Sequence, residues 1–132
     1  MKFVIVEDEI RIREGIRKLL PKISVNNTIV GEAENGEEGI EVIKRANPDV
    51  IITDIRMPIM DGLEMLKKLY AQGCNAKAIV LSAYSEFEYA RQAIRLGVTE
   101  YLLKPIDVQE LFRAVQQVTQ DKEKEIRQKP AQ

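Results

Sequence analysis

Carboxylates at Glu7, Asp8, Glu9 and Asp54, a hydroxyl at Ser82 and an amine at Lys104 each follow directly on a short apolar run. Clustered carboxylates repel, and each tends to keep its proton unless a cation is near. Hard oxygen donors on a rigid rim suit Mg²⁺, or Mn²⁺, which takes only one or two protein carboxylates and keeps several waters. A lysine can balance anionic oxygens, and a hydroxyl can donate to one of them. Those are the electrostatic parts that phosphoryl transfer requires, with Asp54 the nucleophilic carboxylate. Each residue also has a plain explanation. An acidic triplet complements a helix N-terminus, and Glu9 fits that reading. A lone serine is usually a cap and a lone lysine solvated. The informative property is position, one polar group at the end of each of several strands.

The elements that would hold them alternate with little slack. Phe3 to Val6 reads as a strand, followed by a helical stripe of Ile10, Ile12, Ile16, Leu19 and Leu20 ending at Pro21. Thr28 to Val30 is a weaker second strand, and Asn35-Gly36 leads into a helix with Ile40 and Ile43. Val50 to Thr53 is the third strand. Asp61 caps a helix carrying Leu63, Leu66 and Leu69. Ala78 to Leu81 is the fourth strand, and Ser85 caps a helix facing inward through Ala90, Ala93 and Ile94 and ending at Gly97. Val98 to Leu103 is the fifth, and Asp107 caps a last helix with Val108, Leu111, Phe112, Val115 and Val118. Gly39 is a misfit inside its helix, costing about 1 kcal/mol relative to Ala.

Apolar, non-alternating strands joined by helices predict an α/β fold, a doubly wound (βα)5 unit on a parallel five-stranded sheet. Right-handed crossovers favour the flavodoxin-like order 2-1-3-4-5, whose ligand crevice lies beyond the carboxyl ends of strands one and three. Asp8 and Asp54 would converge there.

The chain has 132 residues, enough for one domain, and 45% apolar and 31% charged residues place it among ordinary globular proteins. No apolar stretch approaches ~20 residues. A net charge of −1 gives no nucleic-acid surface in this segment. The start runs straight into a strand with no room for a secretory signal, and the single Cys74 has no disulfide partner, so a cytoplasmic protein is expected. The absence of histidine excludes Ser-His-Asp and Cys-His machinery and any phosphohistidine on this chain.

Four stretches carry a resemblance: Val4-Ile5-Val6-Glu7-Asp8-Glu9, Asp54-Ile55-Arg56-Met57-Pro58 with Asp61-Gly62, Ser82-Ala83-Tyr84, and Tyr101-Leu102-Leu103-Lys104-Pro105. In this order they resemble the receiver domain of a two-component response regulator over residues 1–120, with 121–132 a frayed, solvated helix extension or linker towards an output domain. The resemblance implies that Asp54 is the phosphoacceptor, served by a sensor histidine kinase. It implies that Asp8, Asp54 and the Arg56 backbone carbonyl ligate Mg²⁺, with Glu7 acting through water. Lys104, Ser82 and the Ala83 backbone would contact phosphate, and the Lys104–Pro105 bond would be cis. Ser82 and Tyr101 match the switch pair, and Arg56 and Tyr84 the positions that tune dephosphorylation. Glu7 stands where Asp is more usual, and Ser82 where Thr is. The family also implies a phosphorylation-driven homodimer through the fourth helix, fifth strand and fifth helix. The stretch Ser82 to Ala90 resembles regulators with an AraC-type DNA-binding output, so DNA contact would come only through that domain.

Three other readings compete. An aspartyl-phosphate phosphatase of haloacid-dehalogenase type needs an acid two residues after the nucleophile, where this chain has Arg56. A flavin carrier needs a Thr/Ser-rich loop after the first strand, where this chain is acidic. A receiver-like interaction module acting without phosphorylation stays open. In the receiver reading the chain is no enzyme beyond its own phosphorylation and dephosphorylation.

Overall fold

The structure is a computed structural model and describes residues 1–83 and 87–128. Five strands, β1 (Lys2–Val6), β2 (Thr28–Ala33), β3 (Val50–Asp54), β4 (Lys77–Ser82) and β5 (Glu100–Leu103), alternate with five helices. The helices are α1 (Ile10–Ile23), α2 (Gly36–Ala46), α3 (Gly62–Ala71), α4 (Phe87–Leu96) and α5 (Val108–Gln128). All strand pairs are parallel, in the order β2-β1-β3-β4-β5 that the apolar runs predicted.

Side chains of successive strand residues point to opposite faces, so each buried strand supplies two cores. Phe3, Ile5, Val50, Ile52, Ile79 and Leu81 pack with Ile16 and Leu20 of α1 and with Leu111, Val115 and Val118 of α5. Val4, Val6, Ile51, Ala78 and Val80 pack on the other face with residues of α2, α3 and α4. This division explains the near-continuous apolar runs, since neither face of the central strands meets water.

The caps expected at Asp61 and Asp107 are present, and Asn35 caps α2 as well. Asn35 accepts from the Glu38 amide at 2.9 Å, Asp61 from Glu64 at 2.7 Å and Asp107 from Gln109 at 2.7 Å. Gly97, at φ +80°, closes α4 in the left-handed region. The proposed Ser85 cap lies outside the described residues.

Several boundaries differ from expectation. Helix α1 runs through Pro21 to Ile23, because a proline in the last turn removes only one hydrogen bond and its ring is exposed. Strand β2 extends to Ala33, since pairing with β1 continues through Gly31 and Glu32. Strand β5 starts at Glu100, and the Val98 and Thr99 amides instead bond Ala93 and Ala78 carbonyls. Ile94 faces outward, 74% exposed, leaving Ala93 as the buried contact of α4. Gly39 is no flaw: a Cβ there would lie 2.5 Å from the Met65 sulfur, so α2 approaches α3 and β1 as closely as glycine allows.

Beyond residue 120 the helix continues to Gln128, and Lys122 is buried rather than solvated. Its ammonium donates to the Asn75 carbonyl at 3.1 Å, while Glu125 bonds Lys77 at 2.8 Å. The extension is therefore tied to the start of β4. No helix of the described residues is long and apolar enough to cross a membrane.

Candidate functional site

Parallel pairing brings the carboxyl ends of the central strands to one rim. Val6 is level with Thr53, Asp54 with Leu81, and Ser82 with Leu103, so the next residues, Glu7 and Lys104, overhang the same edge. The Lys104 amide continues the ladder to the Ser82 carbonyl at 2.7 Å, and the Lys104–Pro105 peptide is cis.

At this rim the Lys104 ammonium stands between two carboxylates, 2.6 Å from Glu7 Oε1 and 3.1 Å from Asp54 Oδ2. Glu9 Oε1 is farther, at 3.9 Å, on an exposed side chain at the start of α1. Glu7 is wholly buried and Asp54 nearly so. The second Asp54 oxygen accepts from the Ile55 amide at 2.8 Å. Glu7 Oε2 is buried without a hydrogen-bond partner among the described residues. Glu7, Asp8 and Asp54 each present an oxygen within 4.8 Å of the others. Three hard oxygen donors, one of them orphaned, fit a divalent cation such as Mg²⁺.

Burial pushes the Glu7 carboxyl up to about 8, with the nearby Asp54 charge adding to the effect and the Lys104 bond opposing it. Burial alone would lower Lys104, but its bond to Glu7 and the fields of Asp54 and Glu7 outweigh that and raise it. One cation thus faces two buried carboxylates, and burial favours the protonated form of Glu7.

The remaining expected residues lie around this centre. Ser82 is fully buried at the end of β4, with Ala83 exposed beside it. Tyr101, level with Val80, is half-buried against the α2–α3–α4 core. Arg56 is exposed, and its guanidinium donates to the Tyr89 hydroxyl of α4 at 3.3 Å. Tyr84 lies outside the described residues. Tyr89 is half-buried against the core and bonded at the rim.

Two positions gain roles that their residue types alone did not show. Thr53 Oγ1 donates to the Asp54 carbonyl at 2.9 Å. The Gly62 amide bonds the Ile55 carbonyl at 2.8 Å, and a Cβ on Gly62 would run into the Asp54 carbonyl oxygen. The loop from Ile55 to Asp61 therefore closes directly on the backbone of Asp54. Asp61-Gly62 at a helix start is the only sequence signal, and it reads first as a cap.

The profile of the response regulator receiver domain matches residues 3–116. The chain belongs to that family. This receiver domain is 38% identical over 117 residues to the uncharacterized transcriptional regulatory protein YesN of Bacillus subtilis (strain 168), covering 89% of the chain but 32% of YesN. The chain thus spans about a third of that relative's length. The receiver domain of AraT, a response regulator from Geobacillus stearothermophilus, is 45% identical, with a TM-score of 0.79 over 97% of this chain and 98% of that one. CheY in a CheX–CheY–BeF₃–Mg²⁺ complex from Borrelia burgdorferi is among the similar structures, at 25% identity and TM-score 0.82 over 90% and 89% of the two chains. The domain is a signalling module of a response regulator, and its relatives are transcriptional regulators.

Two outcomes follow from this geometry. Gly62→Ala is expected to destabilise the domain by roughly 1–3 kcal/mol, because the methyl must displace the Asp54 backbone; urea unfolding measures it, and an unchanged midpoint would contradict the packing. The second concerns pH. Since Glu7 rises from 4.5 to about 8 on folding, its contribution to stability is full below pH 4.5 and lost as pH rises through about 8. In metal-free buffer, wild-type stability relative to Glu7→Gln should fall between pH 5 and 8, by at most about 1.4 kcal/mol per pH unit. Parallel stability curves for the two proteins would count against it.

Proposed function

We propose that this receiver domain is a phosphorylation-controlled switch in which Asp54 accepts a phosphoryl group from the phosphohistidine of a sensor kinase. The observation that carries this is the shared lysine: Lys104 holds Asp54 and Glu7 together in a buried carboxylate pair that no structural need explains. An Asp54 oxygen forms the new bond to phosphorus, and the kinase's phosphorus–nitrogen bond breaks. Asp8, Asp54 and the Arg56 carbonyl, with Glu7 through water, would hold Mg²⁺, which supplies charge neutralisation at the transferring oxygens.

The chain's own residues do the rest. Lys104 exchanges its Glu7 bond for a phosphate oxygen, gaining a stronger anionic partner. The Ile55 amide orients the Asp54 carboxylate. The added charge of about −1.5 to −2 attracts the Ser82 hydroxyl and the Ala83 amide. Tyr101 then turns into the space that Ser82 leaves, which biases the surface of α4, β5 and α5 towards a second copy. Exposed Ile94, Leu103 and Phe112, one on each element, support that surface as the dimer face. The response passes to an output domain, of AraC type on the resemblance of residues 82–90, that binds DNA. Residues 121–132 lead towards it. This reading places the domain in the cytoplasm with its kinase.

Incubation with acetyl phosphate and Mg²⁺ tests the proposal. Wild type should gain one phosphoryl group by intact mass, and Asp54→Asn none. Beryllofluoride should shift amide resonances of α4, β5 and α5. A wild type that takes neither phosphate nor beryllofluoride would favour the interaction module that works without phosphorylation. Arg56 and Tyr84 are bulky groups expected to limit water access, so self-dephosphorylation should be slow. Arg56→Ala should lose phosphate several-fold faster, and an unchanged rate would remove Arg56 from that role.

A further inference from the structure

Arg13 lies on the first turn of α1, one turn after the acidic triplet, and its side chain is only 12% exposed. A guanidinium so nearly buried at a helix start is unexpected, since cations are unfavourable near the positive end of the helix dipole. Its partners explain it. Nη1 donates to the Glu7 backbone carbonyl at 2.6 Å, and Nε donates to Glu32 Oε1 on β2 at 3.1 Å. Glu34 Oε1, farther along the same segment, is 3.7 Å from Nη2.

The Glu7 carbonyl belongs to the peptide that joins Glu7 to Asp8. The other side of Glu7 is also held, with its amide on the Ala33 carbonyl at 2.9 Å. Arg13 therefore fixes the plane of the Glu7–Asp8 peptide against β2, and that plane sets the direction in which Asp8 leaves the strand. Asp8 is exposed, and among the described residues no hydrogen bond or ion pair holds its carboxylate towards Asp54. Arginine suits the task because one planar fork can bond a carbonyl and a carboxylate together.

We propose that Arg13 is a positioning residue for the metal site: it acts through the Glu7 carbonyl to aim the Asp8 carboxylate at the cation. This rests on the reading of Glu7, Asp8 and Asp54 as a divalent-cation site. Partners in the shell around metal ligands typically alter affinity by about 10–100-fold when removed. Arg17 supplies an internal control. It bonds the same Glu32, at 3.0 Å, and pairs with Glu14, at 3.9 Å, but its ion pairs stop short of the Glu7 carbonyl.

Mn²⁺ binding to the unphosphorylated protein, followed by electron paramagnetic resonance, provides the test. Arg13→Ala should bind Mn²⁺ about ten-fold more weakly than wild type, and Arg17→Ala within two-fold of it. In metal-free protein the Asp8 amide resonance should move in Arg13→Ala and stay in place in Arg17→Ala. Arg13→Met keeps the aliphatic stem and carries the same expectation if the alanine variant does not fold. Wild-type affinity in the Arg13 variant, or an equal loss in Arg17→Ala, would overturn the proposal. Absence of Mn²⁺ binding in the wild type would instead defeat the cation-site reading itself.

Discussion

The site depends on a single ammonium shared by two buried carboxylates. Lys104 meets Glu7 at 2.6 Å and Asp54 at 3.1 Å, and neither acid has appreciable contact with solvent. Taking a charge out of water costs several kcal/mol unless partners replace the lost hydration. One lysine cannot satisfy both acids, so the cluster keeps a surplus of negative potential and a Glu7 oxygen without a hydrogen-bond partner among the described residues. That surplus is what a divalent cation or a proton answers, and it makes the rim responsive to a change of charge at Asp54.

Such an arrangement needs a stiff frame, because a displacement of an ångström would break either bond. The frame is the parallel sheet, sealed on both faces by α1 and α5 on one side and by α2, α3 and α4 on the other. Close contacts made possible by glycine tighten it at two points. Gly39 lets α2 settle against Met65 and Val6, and Gly62 lets α3 start against the Asp54 carbonyl. Around the acidic pair, Arg13 and the Ala33 carbonyl hold the Glu7 backbone from both sides. Rigidity thus lies in the backbone, while Lys104, on a flexible stem, is the group able to change partners.

Legibility in the sequence followed the range of the interaction. Strand runs such as Val50 to Thr53 and caps such as Asp61 and Asp107 were readable because they depend on neighbours within a turn. Boundaries set by distant partners were not. Strand β2 is longer because β1 continues to pair with it, and Pro21 stays helical because in the last turn it removes only one hydrogen bond. Lys122 looked like part of a solvated charge run. Its burial follows from the Asn75 carbonyl, which lies far away in sequence. Ile94 fits the helical stripe by spacing, yet α4 turns it to solvent and packs through Ala93, with Tyr89 and Leu96 partly buried beside it.

By itself the sequence determined which groups could do chemistry: acids after β1 and β3, a hydroxyl after β4, a lysine after β5, and no histidine anywhere. It determined the alternation that makes a parallel sheet, and so the fact that these groups share one rim. Tertiary structure alone decided how they are joined there. It placed Lys104 between Glu7 and Asp54, left one Glu7 oxygen unbonded, and set Arg13 against the Glu7 carbonyl. The reason is physical: spacing along a chain fixes which strand end a residue occupies, whereas a hydrogen bond is decided within a few tenths of an ångström by packing from every side.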